Sequence, residues 1–187
     1  MARTPSNMLP LGTLAPDFAL LSPRISANES LGDLSGKHAT VILFICNHCP
    51  YVVHIQAGIV QLAHDYADKG VALIAINAND IVHYPDDSPE KMIETAEHYQ
   101  YCFPYLFDAS QATAKAYDAA CTPDCYVFDS KLALAYRGQF DGARPGNDAP
   151  VDGHSIRHAL DALLAGNPLD EADQKPSMGC NIKWQAP

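Results

Sequence analysis

Positive charge is what this sequence has least of. Lys and Arg total 12 against 22 Asp and Glu, for a formal net charge of −10 with neutral histidines. Charge of that sign repels phosphate backbones and anionic headgroups, so neither nucleic acid nor a membrane surface is an expected partner. Long apolar runs are missing too: no segment reaches the roughly 18 consecutive apolar residues of a membrane span. The opening stretch, MARTPSNMLPLGTLAPDF, has one Arg, is broken by proline and holds no apolar core of signal-peptide length. It reads as neither a secretory signal nor a transit peptide, and a soluble, cytoplasmic protein is expected. Six cysteines in 187 residues are too few for a disulfide-dense secreted scaffold. Internal repeats and low-complexity tracts are absent, and no linker marks a boundary. With 48% hydrophobic residues, the chain is expected to form one domain over residues 1–187.

What is present begins with two continuous apolar, partly β-branched runs, ATVILFI at 39–45 and VALIAIN at 71–77. Each has the pattern of a strand buried on both faces in a parallel sheet. Between them, residues 51–69 carry Val52, Ile55, Ile59, Leu62, Ala63 and Tyr66 at helical spacing, and Gly70 follows as a stop. This is a βαβ unit. Ser88 as N-cap and Pro89 at the first helical position begin a second helix through about Tyr99. A shorter helix over 111–117 precedes two strands, CYVF at 125–128 and LALAYR at 132–137, joined by a tight turn, and an amphipathic helix over 154–164 closes the order. The predicted fold class is α/β, a mixed sheet with helices on its faces in thioredoxin topology.

The motif that carries chemistry is FICNHCPYV at 44–52, a CxxC pair formed by Cys46 and Cys49 where the first strand gives way to the first helix. A helix N-terminus favours negative charge, and the thiolate is the nucleophile, so the position is expected to lower a cysteine pKa from about 8.5. His48 between the sulfurs can add a positive charge or a hydrogen bond, and serves as candidate general base. Cys46, at an exposed lip, is expected to attack, and Cys49, one turn into the helix, to resolve. The same pair could instead be half of a metal site, which needs two further ligands. No second CxxC exists; the CxxxC of Cys121 and Cys125, with Cys180 and the histidines, leaves a tertiary site open. A structural disulfide across so short a loop gains little.

Taken together, GTLAPDF, FICNHCPYV, INANDIVHYPDDSPEKM, FPYLFD, CTPDCYVFD, YRGQFDGARP and SMGCNIKW resemble the peroxiredoxin-like, AhpC/TSA-related branch of the thioredoxin superfamily, from about Leu11 to Trp184. The resemblance implies a thioredoxin-like fold with N- and C-terminal extensions, and a cis proline at Thr122-Pro123 facing the CxxC and exposing backbone for β-pairing with a substrate chain. It implies no cofactor. It also implies disulfides, thiols or peroxides as partners, a reductant such as thioredoxin or glutathione, and leaves a homodimer open. Laid on the peroxiredoxin motif, the peroxide-reactive cysteine falls on Cys49, but the threonine position is Cys46, the proline position is Ile42, and the peroxide-polarising arginine falls on Pro123. Arg137 or Arg144 are candidate substitutes. The buried acid of thioredoxins falls on Thr40, so proton transfer needs another route.

Three functions follow for testing: a thiol-disulfide oxidoreductase, a thiol-dependent peroxidase with Cys49 or Cys46 peroxidatic, and a metal-binding or metal-delivery protein using Cys46, Cys49 and His48. Cys121 and Cys180 are candidate additional redox thiols, each weighed against a small buried hydrophobe. Cys102 and Cys125 read as packing residues. The other histidines, His54, His64, His83, His98, His154 and His158, read as surface or satisfied core residues. Asn77-Ala78-Asn79-Asp80 stands at the carboxyl edge of a strand, where open sheets place their sites, and is expected to form a turn.

Overall fold

The computed structural model describes residues 3–167 and 169–186. In chain order the elements are β1 (Arg3–Pro5), β2 (Ala19–Ser22), β3 (Ala27–Ser30), α1 (Leu31–Leu34), β4 (Ala39–Phe44), α2 (Pro50–Ala67) and β5 (Val71–Asn77). There follow α3 (Pro89–His98), β6 (Tyr105–Phe107), α4 (Ala112–Ala116), β7 (Cys121–Thr122), β8 (Asp124–Asp129), β9 (Leu134–Gly138), α5 (His154–Leu164) and β10 (Met178–Asn181). A seven-stranded sheet runs β3-β2-β6-β5-β4-β8-β9, with β4, β5 and β6 parallel and the other pairings antiparallel. A separate three-stranded sheet, β1-β10-β7, joins both ends of the chain to the segment before Pro123.

β4 is buried along its whole length because helices and loops cover both faces of the central sheet. Val41, Leu43 and Val127 face α2 and α5, meeting Val52, Ile55, Ile59, Ile156 and Leu160. Ile42, Phe44, Ile74 and Ile76 face the other way, against Phe18, Leu31, Tyr117, Tyr126 and Phe128. Pro50 occupies the first turn of α2, where the missing N–H has no partner to lose, and Gly70 takes the left-handed conformation that ends the segment, at φ +72°. Ser88 caps α3 by accepting the Lys91 N–H. Among the described residues no helix is long and apolar enough to cross a membrane.

The two central strands, α2, α3 and α5 stand where the periodicity predicts them, within one or two residues. The hairpin differs: β9 begins at Leu134, because Asp129 Oδ1 accepts the N–H groups of Lys131 (2.8 Å) and Ala133 (2.9 Å) and so extends the turn, with Leu132 at φ +60°. Not predicted are β1, the β2–β3 hairpin, α1, β6, β7 and β10, all of four residues or fewer. Such elements are too short to print a period.

Candidate redox site

α2 presents its N-terminus to the end of β4, and the two cysteines lie in that junction. Ile45 N–H bonds the Ile76 carbonyl at 3.0 Å, which holds the chain on the sheet up to the motif. Cys49 is the N-cap of α2 rather than a residue one turn inside it. Its backbone carbonyl accepts from Val52 and Val53, each at 3.0 Å. The expected exposed lip is not there: Cys46 is 1% exposed and Cys49 0%. The covering comes from Thr122, from β10 and from the loop around Asp87.

The Thr122-Pro123 bond is cis and lies against both sulfurs. Cys46 Sγ is 3.5 Å from Thr122 Oγ1, and Cys49 Sγ is 3.1 Å from the Thr122 carbonyl oxygen, which accepts the thiol proton when the pair is fully protonated. On loss of one proton the charge settles on Cys49. The Cys46 thiol is the largest stabiliser of that thiolate, and the Thr122 side chain, Cys180 and the Val52 N–H add to it against the cost of burial, pulling Cys49 down to about 4. Cys46 moves the opposite way, well above the ordinary thiol range, because its proton is shared with Cys49, burial disfavours its charge, and Asp87 repels it. The order of acidity is therefore the reverse of the sequence expectation, which gave the activated thiolate to Cys46.

Asp87 is the residue the sequence reading missed. It is fully buried and accepts the Asn47 N–H at 2.8 Å and the Asn79 side-chain amide at 2.7 Å. The His48 ring nitrogen Nδ1 lies 2.7 Å from Asp87 Oδ2, an ionic contact in which the N–H is not aimed at the oxygen. That carboxylate raises the His48 pKa, chiefly through its attraction for the ring proton. His48 stacks on Tyr84 at 5.7 Å, and no sulfur accepts a hydrogen bond from it. Thr40, at the thioredoxin acid position, instead accepts the Gly36 N–H at 3.0 Å. Asp87 thus brings a buried acid from a different part of the chain. Asn77 and Asn79 do more than make a turn: Asn77 donates to the Asp87 carbonyl (2.8 Å), and Asn79 accepts the Lys183 N–H (2.8 Å) while holding Asp87. The signal available for this was INAND and DDSPE in one set of motifs, which gave no distance between them.

Cys180 enters from β10, whose register sets it opposite Thr122, and it is buried in the same cluster as Cys46 and Cys49. Burial and the neighbouring Cys49 push its pKa up to about 11. Cys121, opposite Asn181, is fully buried, and burial raises its thiol. Its sulfur sits 3.5 Å from the Pro123 carbonyl, not in the Cys46–Cys49 contact. Cys125 is buried as expected, whereas Cys102 is exposed and does not pack.

Neither arginine joins the sulfurs. Arg137 is fully buried, donates to the Asp118 carbonyl (2.7 Å) and to Asp124 (3.1 Å), and lies over the Tyr126 ring at 4.5 Å, in the face of the sheet away from α2. Arg144 donates to the Asp141 and Ala143 carbonyls and to Gln139, closing its own loop. A candidate peroxide-polarising arginine is therefore not assembled at either position.

For a metal, Cys46 Sγ, a His48 nitrogen and an Asp87 oxygen lie within 4.8 Å of one another, the one such group among the described residues. A soft thiolate, an imidazole and a carboxylate fit a zinc-like ion. His154 and His158 stand one helical turn apart on α5, a spacing the sequence reading did not count, but His154 pairs with Asp152 at 3.0 Å and no third ligand gathers there among the described residues.

The sequence profile of the AhpC/TSA family matches residues 11–137, more than half of the chain. The chain belongs to the AhpC/TSA family. A crystal structure of an uncharacterized conserved protein from Geobacillus kaustophilus superposes with a TM-score of 0.97 at 56% identity, covering 100% of this chain and 98% of that one. A hypothetical protein from Sinorhizobium meliloti 1021 gives 0.95 at 45% identity, covering 98% and 100%. A thioredoxin-family thiol:disulfide interchange protein from Chlorobium tepidum TLS gives 0.62 at 16% identity, covering 85% and 99%, which establishes the shared thioredoxin-like fold. No curated protein matches the chain. Within the AhpC/TSA family, this member carries a dithiol at the start of α2, and its chemistry is thiol-based redox.

Proposed function

We propose that this AhpC/TSA protein is a thiol-disulfide oxidoreductase in which Cys49 attacks and Cys46 resolves. The observation that supports it is the place of Cys49 as N-cap of α2, where the helix N-terminus and the Cys46 thiol both favour a thiolate on Cys49 and cis Thr122-Pro123 lies against both sulfurs. The Cys49 thiolate attacks one sulfur of a substrate disulfide; that S–S bond breaks, one half departs as thiolate, and a mixed disulfide forms on Cys49. Cys46 then yields its proton and attacks Cys49, expelling the second half. Asp87, 2.7 Å from the His48 ring, gives the displaced proton a carboxylate and an imidazole on which to rest. The protein ends with a Cys46–Cys49 disulfide, the substrate has gained two electrons, and an external dithiol or glutathione resets the pair.

Rapidly quenched reaction of reduced protein with oxidised glutathione tests the order. Glutathione is expected first on Cys49 in Cys46→Ser, and on neither cysteine of the pair in Cys49→Ser. A first adduct on Cys46 in Cys49→Ser, with none on Cys49 in Cys46→Ser, reverses the roles.

Burial of both sulfurs favours a second reading, peroxidase, since hydrogen peroxide needs a narrower opening than a disulfide substrate does. The discriminating quantity is the rate constant for oxidation by peroxide set against a free thiol of matched pKa. A rate orders of magnitude above the reference identifies a peroxidase, and a rate near it leaves disulfide exchange.

A further inference from the structure

β10 occupies a telling place. In thioredoxin-like proteins the backbone beside the cis proline is an edge on which an extended chain can pair, yet here that edge is filled by the protein's own tail. Asn181 faces Cys121 and Cys180 faces Thr122 in antiparallel register. The approach is close: a Cβ on Gly179 would stand 2.1 Å from the Thr122 carbonyl oxygen, so this position takes glycine because nothing larger fits. Ser177 secures the entry to the strand by donating to the Pro123 carbonyl at 2.6 Å, and exchanges bonds with Ser6 at 2.9 and 2.8 Å. The outcome is a cysteine-bearing strand, Met178-Gly179-Cys180-Asn181, laid across the site with Cys180 paired to the residue that both sulfurs of the pair touch.

We propose that Cys180 is a third redox thiol and that β10 is an internal substrate strand, which receives the disulfide from Cys49. The proposal rests on the oxidoreductase reading above. Cys46 lies against the Thr122 hydroxyl and Cys49 against the Thr122 carbonyl, and Cys180 pairs with Thr122 across the small sheet, so all three cysteines gather around one residue. When Cys49 carries a mixed disulfide, the Cys180 thiol gives up its proton and attacks Cys49. The Cys49–Cys180 bond forms, the external thiolate leaves and takes up a proton, and no net electrons move in that step. From the Cys46–Cys49 disulfide the same attack expels Cys46 as the thiol and passes the bond to the tail. In either case the product ties β10 covalently to the head of α2.

The test follows the glutathione reaction of Cys46→Ser to completion, with alkylation of free thiols and peptide mapping. Glutathione on Cys49 is expected to disappear as a Cys49–Cys180 disulfide appears, and to persist in the Cys46→Ser/Cys180→Ser double variant. Gly179→Ala in the Cys46→Ser background, which pushes β10 off Thr122, is expected to slow the transfer while leaving the first adduct intact. A lasting Cys49 adduct in Cys46→Ser, with Cys180 still alkylatable, overturns the third-thiol proposal and leaves the oxidoreductase reading standing. Absence of any adduct in wild type, Cys46→Ser and Cys49→Ser overturns both. The single variant keeps Cys180 in place, so the decisive arm does not depend on the tail tolerating substitution.

Discussion

Replacing Cys46 by Ala asks how much of the Cys49 acidity belongs to one neighbouring thiol. A hydrogen bond to a charged group contributes about 1.5–3 kcal/mol, and one pKa unit is about 1.36 kcal/mol, so loss of the Cys46 S–H should raise the Cys49 midpoint by about one to two units. Starting from about 4, it should still fall well below a free thiol, because the Val52 N–H, Thr122 and Cys180 remain. The assay is thiolate absorbance in the ultraviolet against pH, on reduced protein. Wild type should hold one thiolate from this pair at neutral pH, Cys46→Ala should keep it with the raised midpoint, and Cys49→Ala should lose it, since burial and Asp87 both oppose charge on Cys46. A neutral-pH thiolate that survives in Cys49→Ala and vanishes in Cys46→Ala would refute the charge order. Linkage supplies a second reading of the same pair. Cys49 has a folded pKa depressed below its unfolded value near 8.5, so the folded chain binds fewer protons between those values, and its stabilising contribution grows as pH rises from about 4 toward the unfolded value and is lost as pH falls. Cys46, raised in the fold, works against stability at higher pH, once the unfolded thiol ionises. Denaturant unfolding of the reduced protein should therefore show stability climbing through neutrality, and that slope should flatten in Cys49→Ala.

Asp87→Asn should lower the Cys46 pKa by removing the repelling charge and drop His48 back toward its ordinary value, both measurable by titrating thiolate absorbance and the imidazole resonance. Asp87→Ala leaves the buried Asn47 N–H and Asn79 amide without an acceptor, at about 1–3 kcal/mol each, which chemical denaturation should register as a loss of at least one such term. Arg137→Ala strands Asp124 in a buried site and should cost about 3–5 kcal/mol, whereas Arg137→Met with Asp124→Asn should cost much less, because it removes both buried charges together. Arg137 variants that fold should keep the peroxide rate of wild type; a large drop would return Arg137 to the site.

The parts of this architecture visible in the sequence are those in which one segment carries its own signal. β4 and β5 are unbroken apolar runs because they are covered on both faces, and α2 shows its stripe because eighteen residues give it five turns in which to repeat. The Cys46–Cys49 pair and Thr122-Pro123 are legible for the same reason, as short motifs. Asp87 is not, because it sits in a turn forty positions from Asn47 and its role exists only where the two loops meet. Cys180 was visible as a candidate, but not its placement, since β10 is four residues long and owes its position to pairing with β1 and β7 from distant parts of the chain. The burial of Cys46 was not legible either, because sequence shows the helix start and not the loops that cover it.

The small sheet β1-β10-β7 also fixes when the centre comes into being. Synthesis runs from the N-terminus at roughly 5–20 residues per second, and β7, β8 and α2 are made before the strand that covers them. Until residues 178–181 leave the ribosome, a nascent chain carries the pair with the edge of β7 open and no third sulfur beside it. The pair gains its cover and its neighbouring third cysteine only when a strand from far along the chain pairs with β7.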